Sequence, residues 1–147
     1  ATPAPAPPPR PVVERYQGDW SVDPTVPGDW VYVPQVGHSQ ALFGADAGSP
    51  RARIECRAGL ITIGRAGVMV GVARGEMRIR TSFSERTIAA RNDLDSGMIV
   101  ITLDSRDPLF DQIAYSRGRF LIEATGQSPM IVPVRPEIQR VIEDCRA

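Results

Sequence analysis

Over residues 51–57 the chain alternates without exception: Arg51, Arg53, Glu55 and Arg57 take one parity, and Ala52, Ile54 and Cys56 take the other. Successive side chains of extended backbone point to opposite faces, so this period of two describes a strand with one solvated and one buried face. Cys56 falls on the buried face. The same reading extends to 39–43, 60–64, 68–73, 77–81, 86–91, 98–103, 119–124 and 130–134, all but 86–91 flanked on at least one side by Gly, Pro, Asp or Ser. A small echo opens the series, Gly18-Asp19-Trp20-Ser21-Val22 followed ten residues on by Gly28-Asp29-Trp30-Val31-Tyr32-Val33, and both copies read as strands. Two copies fall short of a repeat architecture, which needs three stacked units or more.

The period changes twice near the C-terminus. Asp107-Pro108 supplies a capping carboxylate followed by proline at the first helical position, and Leu109, Ile113, Phe110 and Ala114 recur four apart up to Ser116, with Gly118 as the stop. Pro136 opens a second helix, with Glu137 in its first turn and Ile138, Val141, Ile142 and Cys145 on one face. Connections between the strands are too short for crossovers, so the sheet is antiparallel. The expected fold is mainly β: an antiparallel β-sandwich or partly open barrel with two short helices near the C-terminus.

Cys56 and Cys145 are the two cysteines, one on the buried face of a strand and one on the apolar face of the last helix. A structural disulfide between them is the leading reading, with two buried thiols or a metal pair as alternatives. His38 is the single histidine and there is no Cys-x-x-Cys, so no metal site is expected. The chain opens with Ala1-Thr2-Pro3-Ala4-Pro5-Ala6-Pro7-Pro8-Pro9, which reads as a Pro-rich tether left by a cleaved secretory signal. Residues 1–14 form this tether and 15–147 a single domain. A docking segment for a Pro-recognising module is the sharper reading of the same residues.

Seventeen basic residues balance seventeen acidic ones to a formal net charge of +0, which removes the basic excess that binding nucleic acid or an anionic membrane surface requires. All of the basic residues are Arg, a composition bias of the kind a GC-rich coding sequence produces. The longest apolar runs have strand length, well short of the roughly 18 residues of a membrane-spanning helix.

Chemistry-bearing groups are sparse. There is no Gly-x-Ser-x-Gly elbow, and Ser39 beside His38 lies on the opposite side of its strand, so the pair is not a dyad. Asp104, Asp107 and Asp111 could act as paired carboxylates, although Asp107 already has a capping role and the other two have Arg106 nearby. Gly64-Arg65-Ala66-Gly67 and Gly67-Val68-Met69-Val70-Gly71 lack the Lys and Ser/Thr of a phosphate-binding loop. Trp20 and Trp30 are core anchors or a ligand-stacking pair. Ser116-Arg117-Gly118-Arg119-Phe120 sets two Arg about a Gly next to an aromatic ring, and Arg117, Arg119 and Phe120 are candidate binding residues for a carboxylate or phosphate. Arg78 and Arg80, on the solvated face of one strand, could extend a basic strip. No catalytic residue and no cofactor is expected.

The stretch Asp107-Pro108-Leu109-Phe110-Asp111-Gln112-Ile113-Ala114-Tyr115-Ser116-Arg117-Gly118-Arg119-Phe120, with Arg140-Val141-Ile142-Glu143-Asp144-Cys145-Arg146, resembles uncharacterised exported proteins of alphaproteobacteria of the sphingomonad type. The residues from Trp30 to Cys56 share it loosely. A fainter likeness in layout runs to periplasmic proteins of the invasion-associated locus B type, with a β-rich body, a late helix and a C-terminal cysteine. The resemblance implies an envelope location and a fold closed by a disulfide-tethered helix, and it implies no activity. The expected function is a non-enzymatic periplasmic or envelope accessory or binding subunit with a protein partner, docking through a sheet face or edge. The alternatives are a small-ligand or glycan-binding module using the Trp and Arg groups, and an Asp-based hydrolase.

Overall fold

The computed structural model describes residues 3–5, 13–46, 48–72 and 74–147. The strands are β1 (Asp29–Gln35), β2 (His38–Gly44), β3 (Ala52–Arg57), β4 (Leu60–Ala66), β5 (Gly75–Arg80), β6 (Glu85–Asp93), β7 (Met98–Asp104), β8 (Arg119–Ala124) and β9 (Met130–Pro133). Helix α1 (Pro108–Ala114) lies between β7 and β8, and α2 (Pro136–Arg146) closes the chain. The strands form one open antiparallel sheet in the order β1-β2-β3-β4-β7-β6-β5-β8-β9. The fold is mainly β with two short helices in the C-terminal part, as the sequence pattern requires.

The sheet bends at β6. This strand pairs with β5 over Glu85 to Ala90 and with β7 over Arg91 to Asp93, so it belongs to both halves and turns one toward the other. The two edges approach each other without forming a ladder. Val26 N–H donates to the carbonyl of Ile131 at 2.8 Å, and the Trp30 indole N–H donates to that of Pro133 at 2.7 Å. Inside the curve, alternate residues make a single core: Trp30, Phe43, Ile54 and Ile61 from one half and Met77, Ile79, Phe120 and Val132 from the other. Trp30 packs on Phe43 with ring centroids 5.3 Å apart.

The helices fill this core from the apolar faces read in the sequence. Leu109, Phe110 and Ile113 of α1, and Ile138, Val141, Ile142 and Cys145 of α2, are all buried. Asp107 caps α1 by accepting from Leu109 N–H at 2.9 Å, and Pro108 takes the first helical position. The α2 helix packs against β1, β2, β3 and β4, and a Cys56–Cys145 disulfide with Cα atoms 5.4 Å apart fastens its last turn to β3. That separation suits a disulfide.

Three segments differ from the sequence reading. Residues 17–23 form turns instead of a strand, because the Asp19 carboxylate accepts from both the N–H and the hydroxyl of Ser21 and curls the chain locally. Residues 68–72 are likewise irregular, and Ala73 lies outside the described residues. Met69 is 3% exposed, and its N–H donates to the Asn92 side chain in place of a neighbouring strand. The tether expected over 1–14 falls mostly outside the described residues, but Val13 is 7% exposed and packs on the domain.

Candidate functional site

The chain from Val13 to Val26 crosses the outer face of β5, β8 and β9, and this crossing uses several residues singled out in the sequence. Leu121, Glu123 and Ile131 point away from the core yet are buried there. Glu123 has no exposure at all; its carboxylate accepts from Tyr16 N–H at 2.6 Å and from Arg78 at 3.2 Å, with Arg80 at 3.9 Å. Arg78 also donates to the Val13 carbonyl at 3.3 Å. At the rim, Arg15 and Glu85 form a two-bond pair at 2.7 Å, and Arg80 lies 3.5 Å from the same carboxylate. The Arg15 hydrogen bond holds the Glu85 carboxyl below the ordinary range. Arg78 therefore binds this chain's own N-terminal segment directly, while Arg80 pairs with Glu85 and Glu123, the carboxylates that hold Arg15 and Tyr16 of that segment. Arg119 joins them, donating to the Asp23 carbonyl.

Phe120 is fully buried, and Trp30 is 4% exposed with its indole N–H bonded to Pro133, so both work in the core. Trp20 and Arg117 are different. With Asp19, Ser21, Thr81 and Ser82 they line an open groove of about 470 Å³ where the β5–β6 turn meets the α1–β8 turn. Arg117 is exposed and Trp20 half-exposed.

This end of the molecule is built from hydroxyls. Ser82 N–H donates to Ser116 Oγ at 3.0 Å, Arg117 N–H donates to Ser82 Oγ at 2.8 Å, and Ser116 Oγ donates to the Arg119 carbonyl at 2.6 Å. Within the β5–β6 turn, Thr81 Oγ1 accepts from Phe83 N–H at 3.1 Å, and Ser84 Oγ donates to Gln112 of α1 at 2.6 Å. The two turns are thus stapled together, and Gly118, at φ +80°, makes the left-handed step between Arg117 and β8. The stapled turns present two aromatic rings to solvent, Phe83 at 57% and Tyr115 at 66% exposure. Sequence reasoning missed both. The available signals were an aromatic residue at a hairpin apex and a tyrosine off the apolar face of α1.

The acidic residues near α1 are spent on structure. Asp107 pairs with Arg86 as well as capping α1, Asp111 pairs with Arg146 at 2.7 Å, and Asp104 accepts from Arg106 N–H at 2.8 Å. The Arg86 hydrogen bond depresses the Asp107 carboxyl, and the Arg146 hydrogen bond does the same at Asp111. A depressed carboxyl is a poor proton donor near neutrality. His38 and Ser39 take opposite sides of β2, half-buried and buried respectively. Among the described residues no three His, Cys, Asp or Glu side chains gather as a metal site. No helix among them is long and apolar enough to cross a membrane. No protein-family model, curated protein or solved structure matches the chain.

Proposed function

We propose that this protein is a non-enzymatic accessory subunit of the cell envelope that docks on a larger protein complex through the stapled end carrying Phe83, Tyr115, Trp20 and Arg117. The observation that carries this reading is the exposure of Phe83 and Tyr115 beside Trp20 and Arg117 on two turns fixed to each other. Aromatic residues and Arg supply most of the energy in protein interfaces, and turns that are already rigid lose little entropy on docking. The other end of the sheet also exposes apolar side chains, Val68, Val70 and Leu94, but these are aliphatic. The disulfide is consistent with an oxidising compartment outside the cytoplasm. Asp107 and Asp111 are each held by an Arg, Arg86 and Arg146, and Asp107 also caps α1, which favours a structural role for them over acid–base chemistry.

The test is affinity purification from gently solubilised envelope, comparing the unaltered chain with a Phe83→Ser, Tyr115→Ser variant. The reading expects a protein recovered in stoichiometric amount with the unaltered chain and lost with the variant. Recovery of the chain alone, or of the same partner with both, overturns it.

A further inference from the structure

The bend at β6 opens a fork in the sheet. β6 pairs with β5 along Glu85 to Ala90 but with β7 only at Arg91, Asn92 and Asp93, opposite Val100, Ile99 and Met98. Beyond Val100, β7 continues to Asp104 with β4 on one side, where residues 101–104 lie opposite 60–63. The two strands therefore part after the Arg91–Val100 pair. Among the described residues, neither 86–90 nor 101–104 has a second ladder on the side facing the fork. An ion pair between Arg86 and Asp107 bridges the far end. An open groove of about 360 Å³ occupies the fork, between Ala89, Ala90 and Arg91 of β6 and Ile101 and Thr102 of β7, with Arg74 at its side.

A strand edge without a partner presents the N–H and C=O of every second residue, and an extended peptide pairs with them. Alternation along β6 and β7 sets the side chains such a peptide must carry. On the core side, Ile88 and Leu103 pack against the core yet are only partly buried, whereas Ile99 and Ile101 are buried. Apolar side chains directed inward cover that pair. On the outer side, Arg74 and Arg91 are exposed, and among the described residues neither forms a hydrogen bond or ion pair. They are the two charged residues of the groove lining, and no carboxylate lines it. Of the carboxylates at neighbouring positions, Asp93 faces Arg53 at 3.8 Å, and Glu76 sits opposite Ala89 across the β5–β6 ladder.

The four residues 101–104 span about 13 Å at strand rise, so the free edge takes a peptide of similar length. We infer that the fork between β6 and β7 receives an extended acidic segment of a partner protein. The segment adds a strand along residues 101–104, with carboxylates toward Arg74 and Arg91 and apolar side chains toward Ile88 and Leu103. Backbone pairing supplies affinity and the alternating side chains supply selectivity. This contact is additional to docking at the stapled end, with whose groove it shares no residue.

The probe is an N-acetylated, C-amidated hexapeptide of alternating Glu and Val, titrated into the intact disulfide-bonded protein and followed by amide chemical shifts. The inference expects saturable shifts centred on residues 86–91 and 101–104. Arg91→Glu should weaken binding at least about fivefold, the upper end for one exposed ion pair. Arg57→Glu makes the same charge change on the same face of the sheet outside the fork, and should leave binding within about twofold. Both residues are exposed, so neither substitution should unfold the protein. A fully N-methylated form of the peptide keeps its carboxylates, loses every N–H donor, and should not bind. Absence of saturable shifts at about 10 mM, where a millimolar site is nearly filled, overturns the inference. Equal losses from Arg91→Glu and Arg57→Glu overturn it as well, as do equal binding of the N-methylated peptide or shifts centred on Trp20, Ser82 and Arg117.

Discussion

Reducing the Cys56–Cys145 disulfide should remove a large share of the stability of this fold. The bond closes a loop with a sequence separation of 89, covering β3 through α2. In the chain-entropy model, freeing a loop of that size in the unfolded state costs about 4.6 kcal/mol at 25 °C. Single domains typically have only about 5–15 kcal/mol in total, so the reduced protein should sit near the edge of folding. Packing changes little, because Cys56 and Cys145 remain in the same core as thiols. The assay is urea unfolding with and without a phosphine reductant, followed by fluorescence of Trp30, which is buried against Phe43. The midpoint should fall steeply, and the slope with urea should rise as the unfolded chain becomes less constrained. A loss below about 1 kcal/mol would show that α2 is held by its apolar face alone, and the tethering argument would be refuted.

Three further outcomes follow from named contacts. Glu123→Gln leaves Arg78 facing a weakened acceptor and loosens the hold on Tyr16 N–H; limited proteolysis should then cut between Val13 and Val26, with a stability loss of up to about 3–5 kcal/mol, and an unchanged digestion pattern would count against Glu123 as the anchor of that segment. Asp107 and Asp111 have carboxyl pKa values below the unfolded value near 3.9, so their contribution is fully present above about pH 4 and is lost as pH falls through the lower folded values. An NMR titration should find the Asp111 midpoint depressed and Arg146→Gln should return it toward the ordinary value; no movement would show that Arg146 is not the cause. Phe120→Ala should cost about 3–5 kcal/mol and Phe83→Ala no more than about 0.5, since one ring is fully buried and the other mostly exposed; equal losses in thermal unfolding would contradict the division of labour between them.

What the sequence could show depended on whether a residue's environment was local. The alternation over 51–57 and the apolar face of α2 are periodicities, so they gave the strand, the helix and the juxtaposition of Cys56 with Cys145. The Asp107-Pro108 start of α1 is a capping pattern and was equally legible. Residues 17–23 defeated the same logic, because one carboxylate's bonds to Ser21 outweigh a weak strand pattern. Arg78 and Arg80 do lie on the outer face of β5, but their partner Glu123 is 45 residues from Arg78, and Val13, whose carbonyl Arg78 holds, is 65 away. No periodicity reports such a pairing. Phe83 and Tyr115 were invisible for a related reason: their exposure is set by turns joined through contacts such as Ser82 to Ser116, 34 residues apart.

The docking claim is tested most directly by a photo-crosslinking amino acid placed at position 83 in cells, with a second probe at position 94. Both residues are exposed, Phe83 at 57% and Leu94 at 82%, and the antiparallel strand order puts their turns at opposite ends of the sheet. The account predicts one discrete protein adduct from position 83 and none from position 94. Adducts of equal yield from both positions, or an adduct from position 94 alone, would contradict it.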